Sequence, residues 1–199
     1  MSLTLATRPT LVDRFIPRSM AADIALVFAG AVLTAIAAQI TVPLPFSPVP
    51  ITGQTFAVLL VASALGMSRG SLSMVLYVLF GAAGLPVFTG AKSLVLGGAT
   101  MGYLVGFIAA AALVGFLAQR KFDRNVFGVI ASFVAGNIVI YSFGAAWLSV
   151  FLGTVGAPND FASTLAAGVM PFLVGDAVKI ALAAALLPLA WKGVSKLKG

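Results

Sequence analysis

Residues Met101–Ala118 read MGYLVGFIAAAALVGFLA and contain no charged side chain. An α-helix needs roughly 20 consecutive, mostly apolar residues to cross the hydrocarbon core of a bilayer. This stretch therefore predicts a membrane-spanning helix. The rest of the chain has the same character, because 61% of its 199 residues are hydrophobic and 9% are charged. A soluble domain has about a quarter charged residues, so this composition excludes a water-soluble fold.

Five further apolar runs, bounded by turn residues, complete the prediction of an all-α, polytopic membrane protein with six transmembrane helices. These helices are expected near residues 21–40, 52–65, 71–85, 101–118, 126–152 and 171–191, in a single domain over residues 1–199. The second and third are short, which favours tilted helices or helices that end in a protein-lined cavity. The first run also resembles a secretory signal, but it is longer than the ~7–15 apolar residues of such signals and is expected to stay attached.

The basic residues are distributed unevenly around these helices. With six spans, one side of the membrane receives ten of the 12 Lys and Arg residues: Arg8, Arg14, Arg18, Arg69 in the turn Ser68–Gly70, Arg120, Lys121, Arg124, Lys192, Lys196 and Lys198. Lys92 falls on the other side and Lys179 within a span. Because cytoplasmic segments carry the excess of Lys and Arg, both termini are expected in the cytoplasm of a bacterial-type cytoplasmic membrane. The net charge of +7 is then explained by the orientation of the chain in the membrane. No nucleic-acid partner is predicted.

The chain lacks Cys, His and Glu. Disulfides, zinc sites with the usual ligands and histidine general bases are therefore excluded. No metal, no cofactor and no enzymatic activity are predicted. The stretch Gly90–Ser93 lacks the glycine pattern of a phosphate-binding loop, so any ATP hydrolysis is expected to take place on other chains.

Polar residues inside the spans are the candidates for a binding site. Asp176 and Lys179 stand three apart in the last run, so on a helix they share one face. Ionisable groups at membrane depth indicate a functional site, and the alternative is an internal ion pair. The second helix opens with the four residues Thr52, Gly53, Gln54 and Thr55, where free backbone N–H groups, a hydroxyl and an amide gather. Thr52 is alternatively a simple helix cap.

Further candidates lie on the fourth and fifth helices. Asn137 and Tyr141 are four apart and face the same way, either towards a ligand or towards hydrogen bonds between helices. Tyr103 is a ligand contact or an interfacial anchor.

The outer loops, at residues 41–51, 88–100 and 153–168, are rich in Pro, Gly and aromatic residues and poor in charge. They are expected to act as lids over a small-molecule pocket, and the alternative is that they are ordinary surface connections.

Small residues recur along the first helix at a spacing of four, first as Ala21, Ala25 and Ala29 and then as Ala31 and Ala35. Such a stripe lets another helix approach closely. It predicts a docking face for a partner membrane subunit, or else internal packing.

Four segments resemble the BioY family. They are VPITGQTF (Val49–Phe56), YVLFGAAGLPVF (Tyr77–Phe88), GYLVGF (Gly102–Phe107) and PFLVGDAVK (Pro171–Lys179). The resemblance extends from about Ile24 to Leu187. One departure lies before the fourth helix, where the family usually reads Gly-Pro-Thr-Gly-Gly-Tyr and this chain has GATMGY (Gly98–Tyr103), so the backbone of that lid is expected to differ.

Members of this family are the biotin-specific substrate-binding subunits of energy-coupling-factor transporters. The resemblance implies a six-helix bundle, a biotin site near the outer surface, a transmembrane coupling subunit and two ATPase subunits. In the absence of a coupling module it allows a homo-oligomer. The chemistry of biotin matches the candidates above, so the predicted binding residues are Thr52, Gln54, Phe88, Lys92, Tyr103, Asn137, Tyr141, Asp176 and Lys179, with Phe46, Leu85, Val87 and Trp147 as further walls. Lys92 is preferred over Lys179 for the biotin carboxylate.

Other classes of function compete with this interpretation. A self-sufficient carrier for biotin or a related vitamin is the main alternative, although six spans without a visible internal repeat are few for such a carrier. An intramembrane enzyme would have only Asp176, Lys179 and hydroxyl groups available for catalysis. A purely structural subunit would not need a buried Asp and Lys.

Overall fold

The computed structural model describes residues 10–93 and 97–197. Helices form most of this part of the chain: α1 Met20–Gln39, α2 Gln54–Leu65, α3 Met67–Ala82, α4 Met101–Gln119, α5 Val126–Thr154, α6 Phe161–Gly168 and α7 Leu173–Leu197. Two short strands, β1 Thr41–Val42 and β2 Ile51–Thr52, pair antiparallel as a hairpin between α1 and α2. Single 3-10 turns occupy Val12–Arg14, Phe122–Arg124 and Met170–Phe172.

Four helical segments of the described chain are long and apolar enough to cross a membrane, namely Met20–Gln39, Met101–Gln119, Val126–Thr154 and Phe161–Val194. The other two apolar helices, α2 and α3, have 12 and 16 residues, which confirms that the second and third predicted spans are short. Many large apolar side chains face outwards, including Phe127 at 85% exposed and Val174 at 78% exposed. Such an apolar surface suits a multi-pass protein that is surrounded by lipid.

Helix α4 is the centre of the bundle. Ala110, Ala111 and Val114 are fully buried, because α2, α3 and α5 all pack around this helix. Gly102 lets α5 approach very closely, since a Cβ atom there would lie 2.4 Å from the carbonyl oxygen of Phe143. The uncharged stretch that predicts a spanning helix is therefore the element on which the other helices pack.

The turn between α2 and α3 differs from the prediction. Helix α3 begins at Met67, so the expected turn Ser68–Gly70 is wrong, and the chain reverses at Gly66, whose φ of 82° favours glycine. Arg69 consequently lies in the first turn of α3 and is 1% exposed. Its guanidinium donates to Asp23 Oδ1 at 2.6 Å and to Asp13 Oδ1 at 2.8 Å. Arg69 is thus a buried cross-link and not a loop cation.

Two other elements also depart from the predicted boundaries. The outer loop at 153–168 contains helix α6, which begins where the Asp160 side chain accepts a hydrogen bond from the Ser163 backbone N–H at 3.1 Å. The last predicted helix, 171–191, starts with the 3-10 turn at Met170–Phe172 and then continues as α7 to Leu197, through Pro188.

One end of the bundle collects most of the described basic residues, and we call it the basic end. Arg14 and Arg124 both lie against the Trp191 ring, at 5.9 and 4.1 Å from its centroid. Trp191 in turn donates to Asp123 Oδ2 at 2.6 Å. This end is therefore fixed by cation-π contacts and hydrogen bonds between the N-terminal segment, the α4–α5 connection and α7.

Asp13, in the N-terminal segment, ties this end to α3. Burial alone would raise the pKa of its carboxyl, but hydrogen bonds from Arg18, the Thr10 backbone and Arg69 outweigh burial and hold the pKa well below its usual value. A carboxyl whose pKa is lowered on folding stabilises the fold above its unfolded pKa of about 3.8. That stabilisation is lost as the pH falls below this value.

We expect Arg69→Met to lower the free energy of unfolding by about 3–5 kcal/mol, because it removes the cation between two buried carboxylates. Arg18→Met is the matched control, since the Arg18 side chain is 31% exposed and also pairs with Asp13. It should cost about 0–1 kcal/mol. Thermal unfolding of both variants in detergent checks this, and equal losses would contradict the structural role of Arg69.

Candidate ligand-binding site

A cavity of about 460 Å³ lies among the β1–β2 hairpin, the loop after α3 and the near ends of α2, α4 and α7. Tyr141 of α5 lines it, and Val126 at the basic end is 15 residues away along the same helix, or roughly 22 Å. The aromatic lining residues are Phe88, Tyr103, Phe107, Tyr141, Phe151 and Phe172. The other polar lining residues include Thr52, Gln54, Thr55, Thr89, Lys92, Asp176 and Lys179. Its size and mixed lining are those of a small-molecule site.

Asp176 is the centre of a hydrogen-bond network on the cavity wall and is 3% exposed. Its Oδ1 accepts from Lys179 Nζ at 3.0 Å and from Thr55 Oγ1 at 3.3 Å. Its Oδ2 accepts from the Tyr141 hydroxyl. An ionised carboxylate has about four acceptor positions, so room for one further donor remains.

Lys179 has no such spare capacity. Its ammonium donates to Asp176 Oδ1, to Thr55 Oγ1 at 2.7 Å and to the Thr52 carbonyl oxygen at 2.9 Å. These three bonds use all three N–H groups. The pair is therefore both an internal ion pair and part of the cavity lining, so the two interpretations of the sequence are compatible.

Gln54 presents an amide to the cavity from the first turn of α2. Its Oε1 accepts from Thr52 Oγ1 at 3.0 Å and from Thr89 Oγ1 at 3.3 Å, while its Nε2 donates to the Tyr77 hydroxyl at 2.6 Å. The Tyr77 hydroxyl in turn donates to the Val87 carbonyl oxygen at 3.1 Å. The amide is thus held in one orientation and keeps one N–H for a ligand.

Lys92 lies on a small loop that closes one side of the cavity. Phe88 and Lys92 pair through their backbones. Gln39, at the end of α1, donates to the Phe88 carbonyl oxygen at 3.2 Å and accepts from the Ala91 N–H at 3.1 Å. Within residues 10–93 and 97–197, the Lys92 ammonium has no hydrogen bond or ion pair. The lining contains Lys92, Lys179 and Asp176, so its net charge is +1.

The opposite side is closed by α4, α5 and α6. Tyr103 donates to the Gly168 carbonyl oxygen at 2.8 Å, and its ring lies against Gly144, where a Cβ atom would be 2.3 Å away. Trp147 donates to the Gly98 carbonyl oxygen at 2.9 Å. The first bond joins α4 to the end of α6, and the second holds the segment before α4, whose sequence departs from the family pattern.

The structure brings eight of the nine predicted binding residues to this cavity: Thr52, Gln54, Phe88, Lys92, Tyr103, Tyr141, Asp176 and Lys179. Asn137 does not line it, although it was predicted beside Tyr141. It is buried one turn further along α5, and its Oδ1 has no partner among the described residues.

Most of the predicted walls lie elsewhere. Phe46 and Leu85 are 65% and 46% exposed. Val87 and Trp147 stabilise the loops beside the cavity, since the Val87 carbonyl oxygen accepts from Tyr77 and Trp147 donates to Gly98. The lining also includes Thr55, Phe107, Phe151 and Phe172, which are not among the predicted binding residues. Two of them had a local signal, since Thr55 shares the helix start with Gln54 and Phe151 follows Tyr141 towards the outer end of the fifth predicted helix.

The predicted docking stripe on α1 divides into two parts. Ala21, Ala25 and Ala29 are exposed on one face of the helix. Ala31 is fully buried and Ala35 packs against the core. Ala31 therefore serves packing within this chain and cannot contact a partner, because the helix turns it towards the bundle.

A sequence profile of the BioY family matches residues 8–196. The chain belongs to the BioY family. Among its BioY relatives, the biotin transporter BioY of Thermotoga maritima is 38% identical over 161 residues, covering 80% of this chain and 90% of that protein. The probable biotin transporter BioY of Pyrococcus horikoshii is 36% identical over 165 residues, covering 82% of this chain and 92% of that protein.

The fold of this chain is similar to that of a solved structure, the S-component for biotin from an ECF-type ABC transporter. It aligns with a TM-score of 0.75 at 24% identity, over 86% of this chain and 92% of that chain. The resemblance that the four motifs indicate is thereby confirmed at the level of family and fold.

Proposed function

We propose that this chain binds biotin and takes part in its uptake across the cytoplasmic membrane, as the substrate-specific subunit of an energy-coupling-factor transporter. One observation carries the proposal beyond family membership. The cavity is lined by a spare Gln54 amide N–H, a spare acceptor position on the Asp176 carboxylate and the Lys92 ammonium, which has no partner among the described residues. Biotin has the matching groups, with a ureido ring at one end, a carboxylate at the other and apolar atoms between them.

The ureido ring suits the side of the cavity that Gln54 and Asp176 form. Its carbonyl oxygen can accept the free Gln54 N–H, and one of its N–H groups can donate to the remaining position on the Asp176 carboxylate. The thiophane ring and the valeryl chain then lie against Phe107, Phe151 and Phe172. No cofactor takes part in this scheme.

The biotin carboxylate is assigned to Lys92. Lys179 is a poor candidate because its three N–H groups already donate within the protein. Lys92 retains its charge without a partner in the described part of the chain, and the cavity lining as a whole is positive. A monoanionic ligand therefore neutralises the site.

Topology and partners follow from the distribution of charge and exposed surface. We assign six membrane crossings, with both termini and the basic end in the cytoplasm and the cavity near the outer surface. The stripe of Ala21, Ala25 and Ala29 is the docking face for a transmembrane coupling subunit. Two ATPase subunits, as separate chains, hydrolyse ATP.

A thermal-shift screen of the detergent-purified chain against water-soluble vitamins tests the proposed function. A ligand that binds only the folded state stabilises it by RT ln(1 + [L]/Kd), so at equal concentration a tighter ligand raises the melting temperature more. Biotin should stand out from the panel and bind one per chain in a follow-up titration. A larger shift with another vitamin, or none with biotin, would refute the proposal.

We expect Lys92→Ala to weaken biotin binding about tenfold or more, since a charge-assisted hydrogen bond is lost. Biotin methyl ester has no carboxylate charge, so its affinity should change little between wild type and variant. Equilibrium titration with both ligands checks this. If the affinities for both ligands fall by the same factor, Lys92 stabilises the loop and does not bind the carboxylate.

We expect Ala25→Trp to disrupt co-purification with the coupling subunit, because a bulky ring prevents close helix packing. Biotin binding by the isolated chain should persist, since Ala25 is exposed and far from the cavity lining. Val174→Trp is the control, at a 78% exposed position on α7. Equal assembly of both variants would remove this face of α1 as the docking site.

A further inference from the structure

A second cavity, of about 410 Å³, lies at the basic end where α4 joins α5. It is lined by Arg120, Lys121, Phe122, Asn125, Phe127, Gly128 and Ala131. No residue of this set lines the proposed biotin cavity.

The polar side chains of this second cavity all offer N–H donors. Arg120 and Lys121 are cations that form no salt bridge within residues 10–93 and 97–197. Asn125 accepts from the Gly128 N–H at 2.7 Å through its Oδ1, so its NH₂ group is the part left for a ligand. The Arg120 guanidinium is held over the Phe116 ring, 4.6 Å from the centroid. A lining of donors without a carboxylate selects an anion.

The remaining lining is apolar and continues onto the outer surface of α5. Phe127 is 85% exposed. Ile130, Val134 and Ile138 follow it at helical spacing and are 37%, 42% and 60% exposed. An anionic group in the cavity would therefore lie directly beside an apolar strip that runs along the bundle.

We propose that this cavity binds the headgroup of an anionic phospholipid, with an acyl chain along the exposed strip of α5. The phosphodiester accepts hydrogen bonds from Arg120, Lys121 and Asn125. A free phosphate has the same headgroup chemistry but makes no use of Phe127 and the strip beyond it. Basic residues at the cytoplasmic surface attract anionic lipids in general, and the built cavity makes this site specific.

Native mass spectrometry of the full chain with short-chain phosphatidylglycerol tests the proposal. Phosphatidylcholine of the same chain length and inorganic phosphate are the other two probes. One phosphatidylglycerol should bind per chain at saturation, phosphatidylcholine should bind much more weakly, and phosphate should not displace the lipid. Displacement by phosphate at a comparable concentration would instead indicate a site for a soluble anion and overturn the proposal.

The variant Arg120→Gln/Lys121→Gln should weaken phosphatidylglycerol binding roughly 30-fold, because each cation near an anionic lipid contributes to the affinity. Arg14→Gln/Arg18→Gln removes the same charge from the N-terminal segment, whose residues do not line this cavity, and should have little effect. Both variants should bind biotin like the wild type, which shows that they are folded. Equal losses in the two variants, or none in the first, would overturn the proposal. The proposal would also be overturned if the Arg120→Gln/Lys121→Gln variant bound lipid normally but no longer assembled with the coupling subunit.

Discussion

The structure depends on accommodating one ion pair inside an apolar bundle. Asp176 and Lys179 lie 3.0 Å apart with side chains only 5% and 19% exposed. Charges at such depth are costly unless hydrogen bonds satisfy them. Thr55, Tyr141 and the Thr52 carbonyl oxygen supply those bonds from α2, α5 and β2. The pair consequently joins α7 to three other elements and forms the polar side of a cavity that also has aromatic and aliphatic walls.

Charged side chains are paired differently at the two ends of the bundle. At the basic end, Asp13 and Asp23 neutralise the buried Arg69, and the other cations stack on aromatic rings or face the surface. At the cavity, one cation is neutralised internally, whereas Lys92 has no partner among the described residues. The first end therefore holds a buried cation that is fully paired, and the second presents Lys92 to the cavity.

The sequence predicted what depends on composition and local spacing. The apolar runs located the long helices to within a few residues, and the polar residues within them, such as Gln54 and Asp176, lie together at one cavity. The sequence did not predict the features that depend on tertiary contacts. Arg69 was predicted to be a loop cation, because its two carboxylate partners, Asp13 and Asp23, are distant in the chain. The rotation of α1 and α5 turns Ala31 and Asn137 towards the interior of the bundle. Phe172 reaches the cavity through the 3-10 turn before α7. Periodicity in the sequence reveals neither feature.

The biotin affinity of variants at the ion pair tests the central claim most directly. Asp176→Asn removes the carboxylate, and Asp176→Asn/Lys179→Met removes the whole pair so that no uncompensated charge is left in the bundle. Asp160→Asn, at the exposed start of α6, is the control. Titration of folded protein should show biotin binding weakened about tenfold or more in both cavity variants and unchanged in the control. Wild-type affinity in the folded double variant would contradict the assignment of this cavity as the biotin site.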